Sequence, residues 1–459
     1  MPEAVAPYTP QAWDEAIDER GEPRPGYRDL FESLAGADLS AVEADVAGLL
    51  RERGVRFESS AGEEIFHVDA VPRIIEREEW ELLRAGLRQR AEALNRFIVD
   101  IYGERRIVGD GVLPAEAIET ADHFEAGLAG HVNDDQPAAI IGFDVVRGAD
   151  GRLVVLEDNA RTPSGFTYAL AARDALVRAL PAAAPDLADP ADAVEAMRRA
   201  LAAATPEWGS AVLLSDGATN SAWFEHRELA LRLDLPLVTP DALRADGARL
   251  HHDVDGNPEP IALVYRRTDE DRLFGEDGRP TAVGELMLEP IRSGGLVVWN
   301  AFGAGVADDK LVHCYVERMI GFYLGEEPLL PSVRTFDLSQ ADAREEVLGR
   351  LAEMVIKPRA GLGGQGVVIC AHATAEDRDR IARAIEATPG DYIAQETIEL
   401  STHPTVAGDR LEPRHVDLRA FTIGGELATA PLTRFARDRG ALVVNSSEGG
   451  GAKDTWILS

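Results

Sequence analysis

The chain has 459 residues, 80 acidic side chains against 47 basic ones, a formal charge of −33, and an apolar fraction of 45%. That length and composition exclude a single small domain, a fibrous protein and a disordered one, and point to two or three domains with shared cores. A field of that sign repels nucleic acid and anionic membranes, and no apolar run approaches the ~18 residues of a membrane span.

The opening segment MPEAVAPYTPQAWDEAIDER has neither the basic start nor the apolar core of a secretory signal. Two cysteines, Cys314 and Cys370, cannot build a disulfide framework or a cysteine zinc site. The expectation is a cytoplasmic protein with small-molecule partners, no nucleic acid and no membrane, its oligomeric state left open.

Residues 1–130 read as a mostly helical region. Leu39 to Arg53 and Glu78 to Tyr102 repeat apolar residues every three or four positions, with Ser40 and Glu78 as polar starts, and Val55 to Asp69 reads as short strands. Residues 131–207 contain Ile140 to Asn159, two strands around the turn tetrad Gly148-Ala149-Asp150-Gly151. If Arg147 faces Arg152, then Asp144 faces Val155, and alternation puts Asp144, Glu157 and Asn159 on one face; a slip of one residue would separate them. An alanine-rich helical connector interrupted by Pro181, Pro185 and Pro190 follows. Residues 208–300 open as strand, turn, helix, strand, an α/β unit. Residues 301–459 alternate again: a strand at Met354 to Lys357, a glycine loop at 361–366, a strand at Val367 to Cys370, and a helix capped by Thr374 with Asp377 three places on.

Only three basic residues are lysines, Lys310, Lys357 and Lys453; the other 44 are arginines. So many hydrated carboxylates repel one another in dilute buffer, and salt screens that repulsion. A salt-adapted protein is therefore expected, with a melting temperature that climbs as potassium chloride approaches molar concentration. Thermal unfolding across a salt series reads this directly, and an indifferent melting temperature would remove the idea. A lysine kept in so arginine-rich a chain suggests a use for a compact, unforked ammonium, although chance retention explains any one of them equally well.

The strongest local signal is Val355 to Val368, where Gly361, Gly363, Gly364 and Gly366 let backbone N–H groups close over phosphate oxygens beside the Lys357 ammonium. The G-K-[ST] ending and following helix of a Walker loop are missing, and judged alone the segment also suits a ligand-free hairpin. Asp144, Glu157 and Asn159 are hard oxygen ligands of the kind Mg2+ takes alongside substrate phosphates; a solvated hairpin face is the plain alternative. Arg161 and Ser164 follow directly, placed to meet an anion. Lys310 ends a second glycine loop, and Lys453 lies in a third, Asn445 to Asp454, close to Trp456. Gln395 and Glu396 end a strand suited to adenine-edge hydrogen bonds. Arg419, in His415-Val416-Asp417-Leu418-Arg419, is suited to stabilising a transferring phosphoryl group or, equally, to a surface ion pair. Asn220, Glu225 and His226 open the helix of the middle unit, where a turn after a strand presents groups to a ligand.

Together these segments resemble the circularly permuted ATP-grasp family, the relatives of glutathionylspermidine synthetase, over nearly the whole chain. The likeness rests on GEPRPGY at 21–27, VDAVPRII at 68–75, RAGLRQRAEALNRFIVDIYG at 84–103, LEDNARTPSG at 156–165 and NSAWFEHRELA at 220–230. It continues through YRR at 265–267, NAFGAGVADDK at 300–310, IKPRAGLGGQGVVI at 356–369, AQETIELSTHPT at 394–405, HVDLR at 415–419 and NSSEGGGAKDTW at 445–456. Glu157-Asp158-Asn159 stands far ahead of Lys357, the reverse of the unpermuted order.

The resemblance implies an α/β fold, a circularly permuted ATP-grasp core with an N-terminal helical region, and ATP and Mg2+ as cofactors. It implies Asp144, Glu157 and Asn159 as Mg2+ ligands, Lys310 and Lys357 as nucleotide-phosphate lysines, Gly361 to Gly366 as the lid, and Gln395 with Glu396 as the adenine-side strand. The implied reaction activates a carboxylate with the γ-phosphate of ATP; an amine then attacks the acyl phosphate, leaving an amide, ADP and phosphate. Arg161 and Arg419 are the candidate catalytic arginines. Ser164, Asn220, Glu225, Arg266 and Lys453 are the candidates for holding the carboxylate and amine substrates. The usual glycine-serine-glycine-glycine-tyrosine-glycine lid here lacks its serine hydroxyl and keeps its backbone donors. Two other readings stand beside the ligase: a non-catalytic nucleotide-binding scaffold or sensor, and a phosphotransferase on the same fold.

Overall fold

The structure is a computed structural model that describes residues 8–458 except 60–61, 133–135, 181–186, 269–271, 276, 362–364, 409, 443 and 445–449. At its centre is an eight-stranded sheet. Its order runs Val68–Ile75, Gly451–Ile457, Leu432–Phe435, Arg410–Ile423, Ile140–Arg147, Leu153–Asn159, with Thr402–Ala407 and Glu426–Leu427 paired to the long strand Arg410–Ile423. Val68–Ile75 and Gly451–Ile457 are parallel neighbours, Ala452 opposite Val68 and Ile457 opposite Ile75, so early and late chain complete one sheet. The first 130 residues thus hold strands as well as helices, including the antiparallel pair Arg56–Ser59 and Gly62–Ile65.

The helix Arg77–Tyr102 buries Leu83, Leu87, Leu94, Phe97, Ile98 and Ile101, the stripe its periodicity announces. Gly86 lies so close to a neighbouring segment that a Cβ there would sit 2.6 Å from the Leu330 Cβ. The helix Leu39–Glu52 is capped by Asp38, whose carboxylate accepts from the Ala41 N–H at 3.0 Å, and the Ser40 hydroxyl instead donates to the Gly408 carbonyl.

A second, antiparallel sheet has the order Thr335–Asp337, Tyr392–Glu396, Met354–Pro358, Val368–Ile369. Phe336, Val347, Ile356, Ile381 and Ile385 form its own core with the helices Ala341–Gly349 and Ala375–Ala387. Thr374 caps the latter helix, accepting from the Asp377 N–H at 3.1 Å and donating to the Asp377 carboxylate at 2.7 Å. The α/β unit of the middle region forms as well: Ser210–Ser215 is parallel to Leu237–Val238 and to Asn257–Arg267, which in turn is parallel to Val297–Trp299. Among the described residues no helix is long and apolar enough to cross a membrane.

The expected hairpin forms with a different register. Arg147 faces Leu153 and Val145 faces Val155, one residue out from the expectation, and an irregularity between Val145 and Asp144 then sets Asp144 opposite Glu157. The shift alone would have placed Leu156 there and turned Glu157 away. Accommodating Leu156 as an extra residue restores the face, with Gly142 opposite Asn159.

Candidate functional site

Between the central sheet and the four-stranded sheet lies a cleft of about 560 Å³. Alternation along Ile140–Arg147 buries Phe143 and Val145 and turns Asp144 and Val146 into it, and the irregularity at Leu156 shifts the phase of the partner strand, so that Val155 is buried while Leu156, Glu157 and Asn159 face the cleft. From the other sheet Val355, Lys357, Ile369 and Gln395 line the cleft, while Ile356 and Ala394 pack behind. The early acidic hairpin and the late lysine strand therefore share one cavity.

Burial pushes the Lys357 ammonium pKa down, Glu157 opposes the fall, and Lys310 adds to it. Lys310 opens the short helix Lys310–His313; its Nζ is 3.8 Å from Glu157 and donates to the Gly361 carbonyl at 2.8 Å. Arg359 anchors the root of the glycine loop, donating to both Asp309 oxygens at 2.8 Å, to the Thr120 hydroxyl at 2.6 Å and to the Ala117 carbonyl at 2.7 Å. Gly366 has φ +72°, and a Cβ there would come 2.7 Å from the Pro358 Cγ, so this end of the loop needs glycine. Gly361 likewise has a positive φ, and Gly363 and Gly364 lie outside the described residues.

Asp144 is engaged by two arginines. Arg419 donates to its two oxygens at 2.5 and 2.7 Å, and Arg434 reaches it at 3.0 Å while also pairing with Asp417 at 2.5 Å. The pairs follow strand register, Arg419 opposite Asp144 and Arg434 opposite Asp417. Burial disfavours the charge on Asp144, but the two guanidiniums prevail and hold its carboxyl well below the usual range. Asp308 behaves in the opposite way: burial pushes its carboxyl up to about 7 against the pull of Arg161. It accepts from the Ala160 N–H and, at 3.0 Å, from the Arg161 N–H, fixing the turn after Asn159. Asp308, Asp417 and Arg434 line the cleft and were missed in the sequence. Asp417 sits two places before Arg419 on one strand, so alternation was an available signal.

At the other end, Gln395 Nε2 donates to the Leu156 carbonyl at 3.2 Å and the Thr335 hydroxyl at 3.1 Å, which sets the orientation of the amide. Among the described residues its buried Oε1 has no hydrogen-bond partner, nor has the buried hydroxyl of Thr397 two residues on. Buried polar atoms are normally paired, and these two line the cleft alongside Val146, Leu156, Val333 and Val355. The arrangement suits a flat heterocycle with a hydrogen-bonding edge. Glu396 also lines the cleft, with its carboxylate held by Arg350 and, at 2.9 Å, by Arg334.

Arg161 and Ser164 line the cleft as expected. Gly366 does not line it, and neither do four of the residues expected to hold substrate. Glu225 is buried as a cap for the helix Phe166–Ala179, accepting from the Gly165 and Thr167 N–H groups and pairing with Arg267 at 3.1 Å. Asn220 is buried and accepts from the Ala222 N–H at 2.9 Å; Ser221 and Ala222 face the cleft instead. Arg266 is buried with its guanidinium 4.6 Å over the Phe302 ring. Lys453 is fully buried, ion-paired with Asp69 and donating to the Val71 and Pro404 carbonyls at 3.2 and 3.0 Å. The segment Asn445 to Gly449 ahead of it lies outside the described residues. His226 meets the Ser215 hydroxyl at 2.7 Å, and burial together with Arg267 pushes its pKa down to about 3, the behaviour of a packed neutral ring.

Among the described residues no three His, Cys, Asp or Glu side chains gather as a metal centre. The hairpin instead offers two carboxylates and an amide, whose Asn159 nitrogen donates to the Gly142 carbonyl at 3.4 Å and so leaves the amide oxygen as an acceptor. Such a set fits a Mg2+ that takes its remaining ligands from phosphate oxygens and water.

The profile of the family described as circularly permuted ATP-grasp type 2 matches residues 72–436. A Frankia alni protein named "Putative glutamate--cysteine ligase 2-3" is 39% identical over 99% of this chain and 55% of its own length, so the chain spans about half of that relative. An uncharacterised protein of Synechocystis is 38% identical over 97% of both chains. The solved structure of a glutathione synthetase-like effector from Globodera pallida matches with a TM-score of 0.61 at 11% identity, over 91% of this chain and 96% of that one, a likeness of fold.

Proposed function

Since the chain belongs to the circularly permuted ATP-grasp type 2 family, we propose that it is an ATP- and Mg2+-dependent ligase joining a carboxylate to an amine through an acyl phosphate. The observation that carries this reading is the shared cleft, with Asp144, Glu157 and Asn159 on one wall, Lys357 on the other, and Lys310 reaching between them.

In this reading the adenine lies against Leu156 and Val355, with Gln395 Oε1 accepting from its exocyclic amine. Lys310 and Lys357 neutralise the triphosphate. When bound at Asp144, Glu157 and Asn159, Mg2+ supplies Lewis-acid stabilisation of charge on the phosphates. Arg161, Ser164 and Arg419 hold the acceptor carboxylate and the transferring phosphoryl group. The loop 361–366, rooted by Arg359 and Lys310, closes over the phosphates and keeps water from the acyl phosphate. The name of the Frankia relative makes glutamate and cysteine the first pair to examine.

The test is ADP release with paired amino acids and amines in high potassium chloride, with hydroxylamine as a trap. The expected result is a hydroxamate whose formation needs ATP, Mg2+ and the acid. A stable phosphoester without hydroxamate would replace ligation by phosphotransfer, and ATP binding without ADP release across the panel would leave a nucleotide-binding module.

A further inference from the structure

Asp158 stands between Glu157 and Asn159 but points the other way, its side chain only 1% exposed. It accepts from Arg90 Nε at 2.5 Å and Nη2 at 2.7 Å, and meets His313 Nδ1 at 2.7 Å. Arg90 belongs to the long helix Arg77–Tyr102 and also donates to the Ser332 hydroxyl at 2.8 Å. His313 closes the four-residue helix that Lys310 opens, and its buried Nε2 has no hydrogen-bond partner among the described residues.

The strand Leu153–Asn159 is one of the two end strands of the central sheet's order. One short helix straddles it: Lys310 approaches Glu157 on the cleft side, and His313 grips Asp158 behind. Buried ion pairs contribute little net stability compared with apolar residues of the same size. What a bidentate guanidinium and an oriented imidazole add is direction.

We propose that Asp158, Arg90 and His313 form a positioning clamp that sets the separation of Glu157 and Asn159 from Lys310, and through it the affinity for metal-bound triphosphate. None of the three lines the cleft. The inference rests on the ATP-binding reading above and deepens it.

The test compares His313→Leu, His313→Asn, which keeps a nitrogen donor near the position of Nδ1, and Arg90→Lys, which keeps the charge and loses the fork. Each is titrated calorimetrically with Mg·ATP and with adenosine, and its fold is followed by circular dichroism. His313→Leu and Arg90→Lys are expected to lose Mg·ATP affinity by about tenfold or more, with adenosine affinity held within about twofold and His313→Asn recovering to within about threefold of wild type. Wild-type Mg·ATP affinity in the folded Leu and Lys variants would overturn the clamp, as would proportional loss of both ligands or an Asn variant no better than Leu. If His313→Leu does not fold, Arg90→Lys decides. A wild-type protein without measurable Mg·ATP affinity would instead sink the ATP reading and the clamp with it, a result visible before any variant is made.

Discussion

Glu157→Ala is expected to lower ATP turnover by about two to three orders of magnitude while leaving the melting temperature nearly unchanged. The Glu157 side chain is 33% exposed and its ion-pair partner, Lys310, lies 3.8 Å away. A part-exposed pair at that distance adds little to stability. In the proposed reading its loss is felt by the ligands instead: a bound Mg2+ would keep one carboxylate, Asp144, which is already shared with Arg419 and Arg434. Lys357 also loses the neighbour that opposes its desolvation. Calorimetric titration with Mg·ATP and a coupled ADP assay measure the two consequences, and wild-type values in both would show that the hairpin does not hold the metal.

The largest effect on stability is expected from Lys453→Met, about 3–5 kcal/mol by urea unfolding, because it strands a buried carboxylate. Both members of the Lys453–Asp69 pair are 0% exposed. Asp69 retains the Val71 and Val406 N–H groups at 2.9 and 2.7 Å, while the Val71 and Pro404 carbonyls lose their ammonium donor. Adding Asp69→Asn removes the second charge and should recover a large part of the loss. Lys453 lies outside the cleft, so the folded single variant should bind Mg·ATP like wild type; an unchanged urea midpoint for Lys453→Met would contradict the structural role.

The fates of the three lysines mark how far sequence reading reaches. Rarity and adjacent glycines recommended all three alike, yet Lys310 and Lys357 enter the cleft and Lys453 does not. The difference is Asp69, which lies 384 residues earlier in the chain, and no local pattern carries that pairing. Glu225 is the same kind of case: at the start of its helix it looked free for a ligand, but the unsatisfied amides of another helix, at Gly165 and Thr167, claim it. Strand alternation, by contrast, is local, and it was enough to put Glu157 and Asn159 on one face; Asp144 joins them only through the irregularity between Val145 and Asp144. The register was not legible, because LVVLEDN contains no sign of where an extra residue is accommodated. The helices and the hairpin were readable from periodicity and turn residues, while the middle of the glycine loop lies outside the described residues. The order of the sheet was not, since it depends on contacts between strands hundreds of positions apart. Asp158 belongs to both categories: alternation places it behind the cleft, while its partners Arg90 and His313 come from distant helices.

The position of Gly451–Ile457 between Val68–Ile75 and Leu432–Phe435 bears on how the protein is made. During synthesis the strand Val68–Ile75 emerges early and has no partner in this sheet until residue 457 has cleared the ribosome. Its docking joins segments 384 residues apart, Lys453 beside Asp69, the kind of non-local step that slows folding and leaves strand edges open meanwhile. The net charge of −33 acts on the incomplete chain as well as on the folded one, so neighbouring copies repel one another while strand edges are open.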